Sequence, residues 1–309
     1  MKRDFLRLND LTRAEIEAVM EKSAWYKSVR RAGRDTGDLK GLSVGMIFAK
    51  PSTRTRVSFE VGISELGGRV IYMDAAQTQI ARAEPLSHTA RVLSRYLDGL
   101  VIRTFDQHDL EELARYASIP VINALTDAFH PCQVLSDLFT LREKIGPLDG
   151  RKVAWVGDGN NMANSWINAA ALMGFELTLA VPQGYDPQAE VLAQAQAKAP
   201  APITVTRDPA EAVTGAVAIN TDVWASMGQE AQAAERARVF KPYQVNARLV
   251  ARAAPQALVL HCLPAHLGEE ITEDVLEGPQ SVVFDQAENR LHTQKALLAL
   301  IMGREGKWL

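Results

Sequence analysis

Residues 43–56 read SVGMIFAKPSTRTR, an apolar run followed directly by a cluster of hydroxyls and guanidiniums. The apolar run has the length and composition of a buried strand. An amphipathic stretch follows it as far as Gly67, where we expect a helix with Val57, Val61 and Ser64 on one face. A strand followed by a helix is the repeating unit of parallel sheets, so this stretch predicts an α/β fold.

The same alternation of short apolar runs and longer amphipathic stretches continues along the chain. It predicts two doubly wound domains, each with a parallel sheet covered by helices. The strands expected in the first domain are Ser43 to Phe48, Val70 to Met73, Gly99 to Ile102 and Val121 to Asn123. Those expected in the second are Val153 to Val156, Glu176 to Val181, Ile203 to Thr206, Ala216 to Asn220, Ala257 to His261 and Ser281 to Phe284.

The length of 309 residues suits two domains, since each would be large enough to bury its own core. The turn-rich segment Gly146 to Gly150 marks the predicted boundary. We therefore expect a first domain at residues 1–147 and a second at 148–288, joined by bridging helices. A C-terminal helix within 289–309 is expected to pack back on the first domain.

Composition narrows the possible partners. The 34 Lys and Arg residues nearly balance 37 Asp and Glu residues, so no net basic field exists to hold a nucleic acid or an anionic membrane. Only two cysteines occur, which is too few for a disulfide framework. The charged N-terminus lacks the apolar core of a secretory signal, and the longest apolar runs are too short to span a bilayer. The expected location is the cytoplasm.

The polar cluster at residues 52–56 is a candidate anion site. Ser52 or Thr53 can cap the predicted helix, and a helix N-terminus offers free N–H groups and partial positive charge to a phosphate. The alternative is an ordinary helix cap beside two solvated arginines. The cluster is not a Walker loop, because the glycine-rich run and the Gly-Lys-Ser/Thr ending are both missing.

Two further motifs invite cofactor interpretations. Gly157-Asp158-Gly159 follows a predicted strand, but the third glycine of a dinucleotide fingerprint is missing, so NAD binding is only a weak alternative. His261, Cys262 and His266 lie close in sequence, but no Cys-x-x-Cys pair supports a zinc site. We expect neither a cofactor nor a metal.

Together the motifs resemble the aspartate/ornithine carbamoyltransferase family, whose phosphate loop reads Ser-x-Arg-Thr-Arg. The resemblance runs through nearly the whole chain. Ser-Met-Gly and His-Cys-Leu-Pro resemble the ornithine branch, whereas Ala81, Ala83 and His88 depart from its pattern. The motifs that carry it, in chain order, are 52–56, 78–80, Arg103, 130–133, 157–161, 222–228, 261–265 and 289–290.

The resemblance implies carbamoyl transfer from carbamoyl phosphate to ornithine, giving citrulline. The implied catalytic residues are Arg54, Arg103, His130 and Cys262. Those implied to bind carbamoyl phosphate are Ser52, Thr53, Arg54, Thr55, Gln79, Arg103, His130, Gln133, Cys262, Leu263 and Arg290. Those implied to bind ornithine are Asn161, Asp222, Ser226 and Met227.

The family pattern also implies a homotrimer, or a multiple of trimers, in which Gln79 completes the site of a neighbouring subunit. Arg56 is expected beside the leaving phosphate, and Cys262 as a general base is a hypothesis. Structural alternatives stay open: a helix cap for Asn161, a local turn for Asp222 and Ser226, and a buried thiol for Cys262. Functional alternatives are transfer to N-acetylornithine or putrescine, an NAD oxidoreductase, and a phosphate-binding protein without activity.

Overall fold

The computed structural model of the chain describes residues 2–226, 228 and 230–303. Its internal contacts divide the chain into two compact units. Unit 1 comprises Met1–Phe139 with Glu288–Leu309, and unit 2 comprises Thr140–Ala287. Both divisions fall inside helices, whereas the boundary predicted at residues 147 and 148 lies in the turn that follows the first of those helices.

Unit 1 contains a four-stranded parallel sheet in the order β2-β1-β3-β4. Its strands are β1 (Ser43–Phe48), β2 (Arg69–Asp74), β3 (Gly99–Arg103) and β4 (Val121–Leu125). Its helices are α1 (Arg13–Arg31), α2 (Thr53–Glu65), α3 (Leu86–Leu93) and α4 (Gln107–Tyr116), with most of α5 (Pro131–Ile145) and α12 (Val283–Met302). Short 3-10 turns occur at Leu8–Asp10, Ala75–Gln77 and Gln79–Arg82.

Unit 2 contains a five-stranded parallel sheet in the order β7-β6-β5-β8-β9. Its strands are β5 (Lys152–Val156), β6 (Glu176–Ala180), β7 (Ile203–Thr206), β8 (Ala218–Thr221) and β9 (Leu258–His261). Its helices are α6 (Asn161–Met173), α7 (Ala189–Gln196), α8 (Pro209–Val213), α9 (Ala233–Phe240), α10 (Ala247–Val250) and α11 (Glu273–Leu276). The predicted α/β class, with two parallel-sheet domains, is confirmed.

Nine of the ten predicted strands are present, and the tenth prediction was wrong. Ser281 makes a single bridge to Val259, and Val283 already begins α12. The run of apolar residues at 281–284 was read as a strand because a short apolar run looks the same in a strand and at the start of a buried helix. The final helix consequently begins at Val283, before the range 289–309 in which it was expected.

The face predicted for α2 was also wrong. Val57 is 51% exposed and Ser64 is exposed, whereas Phe59 and Ile63 are fully buried. On the buried stripe of α2, Gly62 faces Leu291 and Lys295 of α12 within unit 1, and Lys295 Nζ lies 2.7 Å from Glu65 Oε2. The helix therefore turns its N-terminal residue Thr55 inward, along the same stripe as Phe59.

In each sheet the strand order creates a switch point at the carboxyl ends of two neighbouring strands, and ligands usually bind at such points. In unit 1 the chain leaves β1 toward β2 on one side and reaches β3 on the other, so the carboxyl ends of β1 and β3 form a switch point. In unit 2 the corresponding switch point lies between β5 and β8. Among the described residues, no helix is long and apolar enough to cross a membrane.

Candidate active site

The N-terminus of α2 begins just after β1, at the switch point of unit 1. Ser52 has extended backbone, and its hydroxyl accepts a hydrogen bond from the Thr55 N–H at 3.2 Å. The first turn of α2 contains no acidic residue. The positive end of the helix dipole and its remaining N–H groups are thus available to an anion, as the sequence predicts.

Thr55 is the point where distant parts of unit 1 converge. Its buried hydroxyl accepts from Arg290 Nη2 at 2.7 Å, and Arg103 Nη1 lies 3.5 Å from the same oxygen. Arg103 ends β3, and Arg290 belongs to α12. Both arginines are nearly fully buried, so their charges act in a medium of low polarity.

His130 adds an imidazole to this cluster. Burial, followed by the nearby guanidiniums of Arg290 and Arg103, holds the pKa of His130 well below its usual range. The ring is therefore neutral near pH 7, which lets it donate a single hydrogen bond to a carbonyl oxygen without carrying charge. One turn further along, buried Gln133 donates from Nε2 to Asp137 Oδ1 at 2.8 Å, which fixes the amide.

The remaining candidates of unit 1 lie at its surface. Thr53, Arg54 and Gln79 are exposed. Arg56 does not fit the phosphate role predicted for it, because its guanidinium pairs with Glu60 at 2.8 Å and stacks 3.7 Å from the centre of the Tyr72 ring. The side chain points along α2 and across β2, and we remove it from the candidate site.

In unit 2 the candidates gather at the carboxyl ends of β5 and β8. Asn160 caps α6, with its Oδ1 accepting from the N–H groups of Met162 and Ala163 at 2.9 and 3.3 Å. Its Nδ2 donates to Asp222 Oδ2 at 2.9 Å. Asn160 thus has the cap role that we left open for Asn161, and it also orients the Asp222 carboxylate. Sequence reasoning missed it, although it stands in the same motif.

Cys262 also contacts the carboxylate of Asp222. Its Sγ donates to Asp222 Oδ1 at 3.1 Å, so this cysteine and the ornithine candidate Asp222 form one polar group within unit 2. Cys262 follows β9, and the next residue, Leu263, has a left-handed φ of 56°. A bulky residue in that conformation costs energy, and such outliers occur preferentially at functional sites.

The ligand atoms of Asp222, His261 and Cys262 lie within 4.8 Å of one another, which raises the question of a metal. Both ring nitrogens of His261 are already bonded. Nδ1 accepts from the Leu263 N–H at 2.9 Å, and Nε2 lies 3.0 Å from Glu270 Oε1. The imidazole is therefore held as a structural support for the turn at 262–264, and the geometry does not favour metal binding.

Gly159, which prompted the dinucleotide interpretation, has a packing reason. A Cβ at this position would come within 2.5 Å of the Tyr185 carbonyl oxygen and 2.3 Å of the Pro187 nitrogen. Its N–H donates to the same Tyr185 oxygen at 2.9 Å. The glycine permits two backbone segments to touch, and the motif needs no nucleotide to explain it.

Three further residues, Ser226, Asn161 and Met227, were predicted to bind ornithine. Ser226 is half-buried two residues after the buried Trp224, and Asn161 is the half-buried first residue of α6. Met227 lies outside the described residues. Unit 1 thus presents buried guanidiniums beside a helix N-terminus, and unit 2 presents a buried carboxylate. These are the features expected of a transferase that moves a group from a phosphate to an amine.

Comparison with known proteins makes the assignment specific. Residues 3–143 match the carbamoyl-phosphate-binding domain of aspartate/ornithine carbamoyltransferases, and residues 149–301 match the aspartate/ornithine-binding domain. The chain belongs to the aspartate/ornithine carbamoyltransferase family.

Individual relatives are similar over their full length. The ornithine carbamoyltransferase of Desulfotalea psychrophila is 58% identical over 96% of this chain and 98% of its own. The ornithine carbamoyltransferase of Geobacter metallireducens is 54% identical over 98% of this chain and 100% of its own. The solved structure of ornithine carbamoyltransferase from Pyrococcus furiosus superposes with a TM-score of 0.93 at 50% identity, covering 97% of each chain.

Proposed function

We propose that this chain transfers the carbamoyl group of carbamoyl phosphate to the δ-amine of L-ornithine, giving L-citrulline and phosphate. The observation that carries the proposal is the convergence of Arg103 and Arg290 on Thr55, beside a neutral His130 and the N-terminus of α2. Arginine-rich, low-polarity surroundings suit a doubly charged acyl phosphate. The similarity to ornithine carbamoyltransferases supports ornithine as the acceptor.

We assign carbamoyl phosphate to the first domain, residues 1–147 with the C-terminal helix, and ornithine to residues 148–288. In the first domain, the N–H groups of α2 with Ser52, Thr53 and Arg54 would hold the phosphate. Arg103 and Arg290 would neutralise its charge. His130 and Gln133 would bind the carbamoyl oxygen and nitrogen.

In the second domain the Asp222 carboxylate would pair with the α-ammonium of ornithine, because an ammonium prefers a fixed anionic acceptor. Ser226, Asn161 and Met227 are proposed to complete the contacts with the amino-acid end. Cys262 and Leu263 would border the reacting groups. The hydrogen bond from Cys262 to Asp222 supports a shared role for these two side chains.

The reaction would proceed by attack of the neutral δ-amine on the carbamoyl carbon. A C–N bond forms, a tetrahedral species carries negative charge on its oxygen, and the C–O bond to phosphate then breaks. Arg54, Arg103 and His130 would stabilise that oxygen, and the leaving phosphate can take the proton lost by nitrogen. Fixed donors of this kind typically contribute about 10²- to 10³-fold each to the rate.

Cys262 as the general base is a separate hypothesis within this scheme. The thiol acts as a donor to Asp222 at 3.1 Å, so it would have to give up that proton before it could accept another. We expect Cys262→Ala to change the KM for ornithine more than the pH dependence of kcat. A lost ionisation in the pH profile of kcat would instead support the base.

The direct test measures citrulline formed from carbamoyl phosphate and ornithine. Arg54→Ala should lower kcat/KM by about 10²- to 10³-fold through loss of a charge-stabilising donor. Arg56→Ala, two residues along the same helix, is the matched control and should keep nearly the wild-type rate, because its guanidinium serves Glu60 and Tyr72. Equal losses in both variants would count against the phosphate site.

A panel of acceptors separates the rival activities. N-acetylornithine has no free α-ammonium for Asp222, and putrescine has no α-carboxylate, so both should react poorly. Preference for either would redirect the acceptor assignment. NAD binding in calorimetry would favour an oxidoreductase, and carbamoyl phosphate binding without any carbamoylated product would indicate a protein without activity.

We further propose a homotrimer, or a multiple of trimers, in the cytoplasm, with Gln79 completing the site of a neighbouring subunit. Its support is the exposure of Gln79 in a short 3-10 turn, and that of Val57 and Ile71 on the same unit. Both cysteines are free thiols, as a reducing compartment would keep them. Sedimentation of a fully active monomer would refute the assembly.

A further inference from the structure

Arg236 is a buried arginine that none of the family motifs singled out. It lies on α9 and is only 6% exposed. Its guanidinium packs over the Tyr185 ring, 4.9 Å from the centroid. Burying a charge is costly unless it is paired and hydrogen-bonded, so the partners of Arg236 indicate its role.

One nitrogen of Arg236 joins two segments of unit 2. Nη1 donates to the Asp158 carboxylate at 2.8 Å and to the backbone carbonyl of Trp224 at 2.7 Å. Asp158 follows β5, and its own carbonyl accepts from the Trp155 indole at 2.9 Å. The carbonyl of Trp224 is thereby tied, through a single guanidinium, to the rigid end of a central strand.

The same helix also holds the side chain of Trp224. Phe240, one turn beyond Arg236, stacks on the Trp224 ring with centroids 6.1 Å apart and planes inclined by 27°. Backbone and ring of Trp224 are therefore both fixed by α9. Such a double attachment leaves the chain little freedom to rotate at this residue.

Trp224 stands in the middle of the segment that carries the ornithine candidates. Asp222 lies two residues before it and is held by Asn160 at 2.9 Å and by Cys262 at 3.1 Å. Ser226 lies two residues after it, further along the same segment. The chain from Asp222 to Ser226 therefore passes through Trp224, whose carbonyl and ring are both held by α9.

We propose that Arg236 is a positioning residue for ornithine: by tying the Trp224 carbonyl to Asp158, it holds Asp222 and Ser226 at the spacing that the amino-acid end of ornithine requires. The inference rests on the proposed function. Arg236 itself does not touch the reacting atoms. Preorganised contacts of this kind act on binding, since a segment that is already ordered loses less entropy when the ligand arrives.

A purely structural ion pair with Asp158 would predict something different. Removing both charges together, in Arg236→Gln with Asp158→Asn, leaves no buried charge without a partner and should preserve the fold. If the pair served only stability, this double variant would bind ornithine normally. If Arg236 positions the loop, the double variant folds but still lacks the charge-assisted bond to the Trp224 carbonyl.

The experiment compares steady-state kinetics and melting temperature in the full-length chain. For the double variant we expect a KM for ornithine raised by about 10- to 100-fold, the range that corresponds to one charge-assisted hydrogen bond. The KM for carbamoyl phosphate and the melting temperature should stay close to wild type. Arg238→Gln, on the exposed side of the same helix, is the matched control and should change nothing.

Arg236→Lys gives a second and independent measurement. Its ammonium keeps the charge beside Asp158 but reaches less far, so we expect an intermediate rise in the KM for ornithine. A wild-type KM for ornithine in both the double variant and Arg236→Lys would overturn the inference while leaving the proposed function intact. A wild-type chain that forms no citrulline would overturn both.

Discussion

The two sheets place their candidate sites at equivalent positions and give them opposite charge. In unit 1 the switch point between β1 and β3 collects Arg103 and Arg290 around Thr55. In unit 2 the switch point between β5 and β8 presents Asp222, with Asn160 and Cys262 as neutral donors, whereas the charge of neighbouring Asp158 is paired with Arg236. The same architecture thus offers one site to an anion and the other to a cation.

This contrast explains how one fold pattern can serve two unlike substrates. Strand order fixes where a ligand binds, and the side chains at the strand ends decide which ligand it is. In the proposed sites, phosphate would meet guanidiniums and a helix N-terminus, whereas an ammonium would meet a carboxylate held by an amide. If the contrast is right, a substitution in either site should change the KM for one substrate and leave the KM for the other unchanged.

The largest effect is expected from unit 1. Arg290→Met removes a buried guanidinium from Thr55 and from the surroundings of His130, so kcat/KM should fall by about 10²- to 10³-fold. Steady-state kinetics with each substrate varied in turn measures it. The deficit should appear in kcat and in the KM for carbamoyl phosphate.

The control for that variant is Arg95→Met, an exposed arginine of the same unit, which should keep wild-type kinetics. Far-ultraviolet circular dichroism checks that Arg290→Met is folded. A folded Arg290→Met enzyme with normal kcat and a raised KM for ornithine alone would reverse the assignment of the two units.

A smaller effect is expected from unit 2. Asp222→Asn keeps the shape of the side chain but removes the charge that would pair with the ornithine α-ammonium. The KM for ornithine should rise by about 10- to 100-fold, and the KM for carbamoyl phosphate should hold. Asp274→Asn, on the exposed surface of α11, serves as the matched control. Loss of affinity for carbamoyl phosphate in Asp222→Asn would break the contrast.

The positive surroundings in unit 1 also predict acid sensitivity. Burial, with Lys295, Lys27 and Arg30 nearby, lowers the pKa of His292 to about 4. Below pH 6.5 the unfolded chain takes up a proton there that the folded chain refuses, so stability falls as pH drops from about 6.5 toward 4. Above about pH 6.5 His292 is neutral in both the folded and the unfolded chain, so this loss of stability is absent there.

Urea unfolding at several pH values measures this effect. His292→Asn should reduce the pH slope of the unfolding free energy by up to about 1.4 kcal/mol per pH unit between pH 6 and 4.5. Identical slopes in wild type and His292→Asn would show that this histidine is not held neutral.

The smallest effect concerns the segment that presents Gln79. Ala83 ends its 3-10 turn with a left-handed φ of 62°, which is the conformation that glycine adopts without strain. Ala83→Gly should therefore be neutral or stabilise by up to about 1 kcal/mol. Ala81→Gly, inside the same turn, should destabilise by roughly 0.5 to 1 kcal/mol. Thermal unfolding of both variants would reveal whether the two signs differ.

Sequence alone located the strands and the charged end of α2 because these rest on local patterns. Nine strands follow from apolar runs, and the Ser-Thr-Arg-Thr-Arg cluster stands directly after one of them. The error at residues 281–284 arose where the local pattern is ambiguous between a strand and a helix start. The buried face of α2 was misjudged because Lys295 and Leu291 of α12 decide it.

Long-range pairings were out of reach of pattern reasoning. Arg236 meets Asp158 across 78 positions, and Arg290 meets Thr55 across 235. Only the family resemblance pointed to Arg290, and nothing in the spacing of Arg236 distinguishes it from exposed Arg238 two residues later. Residues such as Arg236 and Arg290 can be identified from the folded structure, where their distant partners lie beside them.

The most direct test is a crystal structure of the protein with a non-hydrolysable phosphonate analogue of carbamoyl phosphate. The account predicts the phosphonate at the N-terminus of α2, bonded to the N–H groups and hydroxyls of residues 52–55 and facing Arg103 and Arg290. A phosphonate bound beside Asp222 or elsewhere on the protein, with residues 52–55 unoccupied, would contradict it.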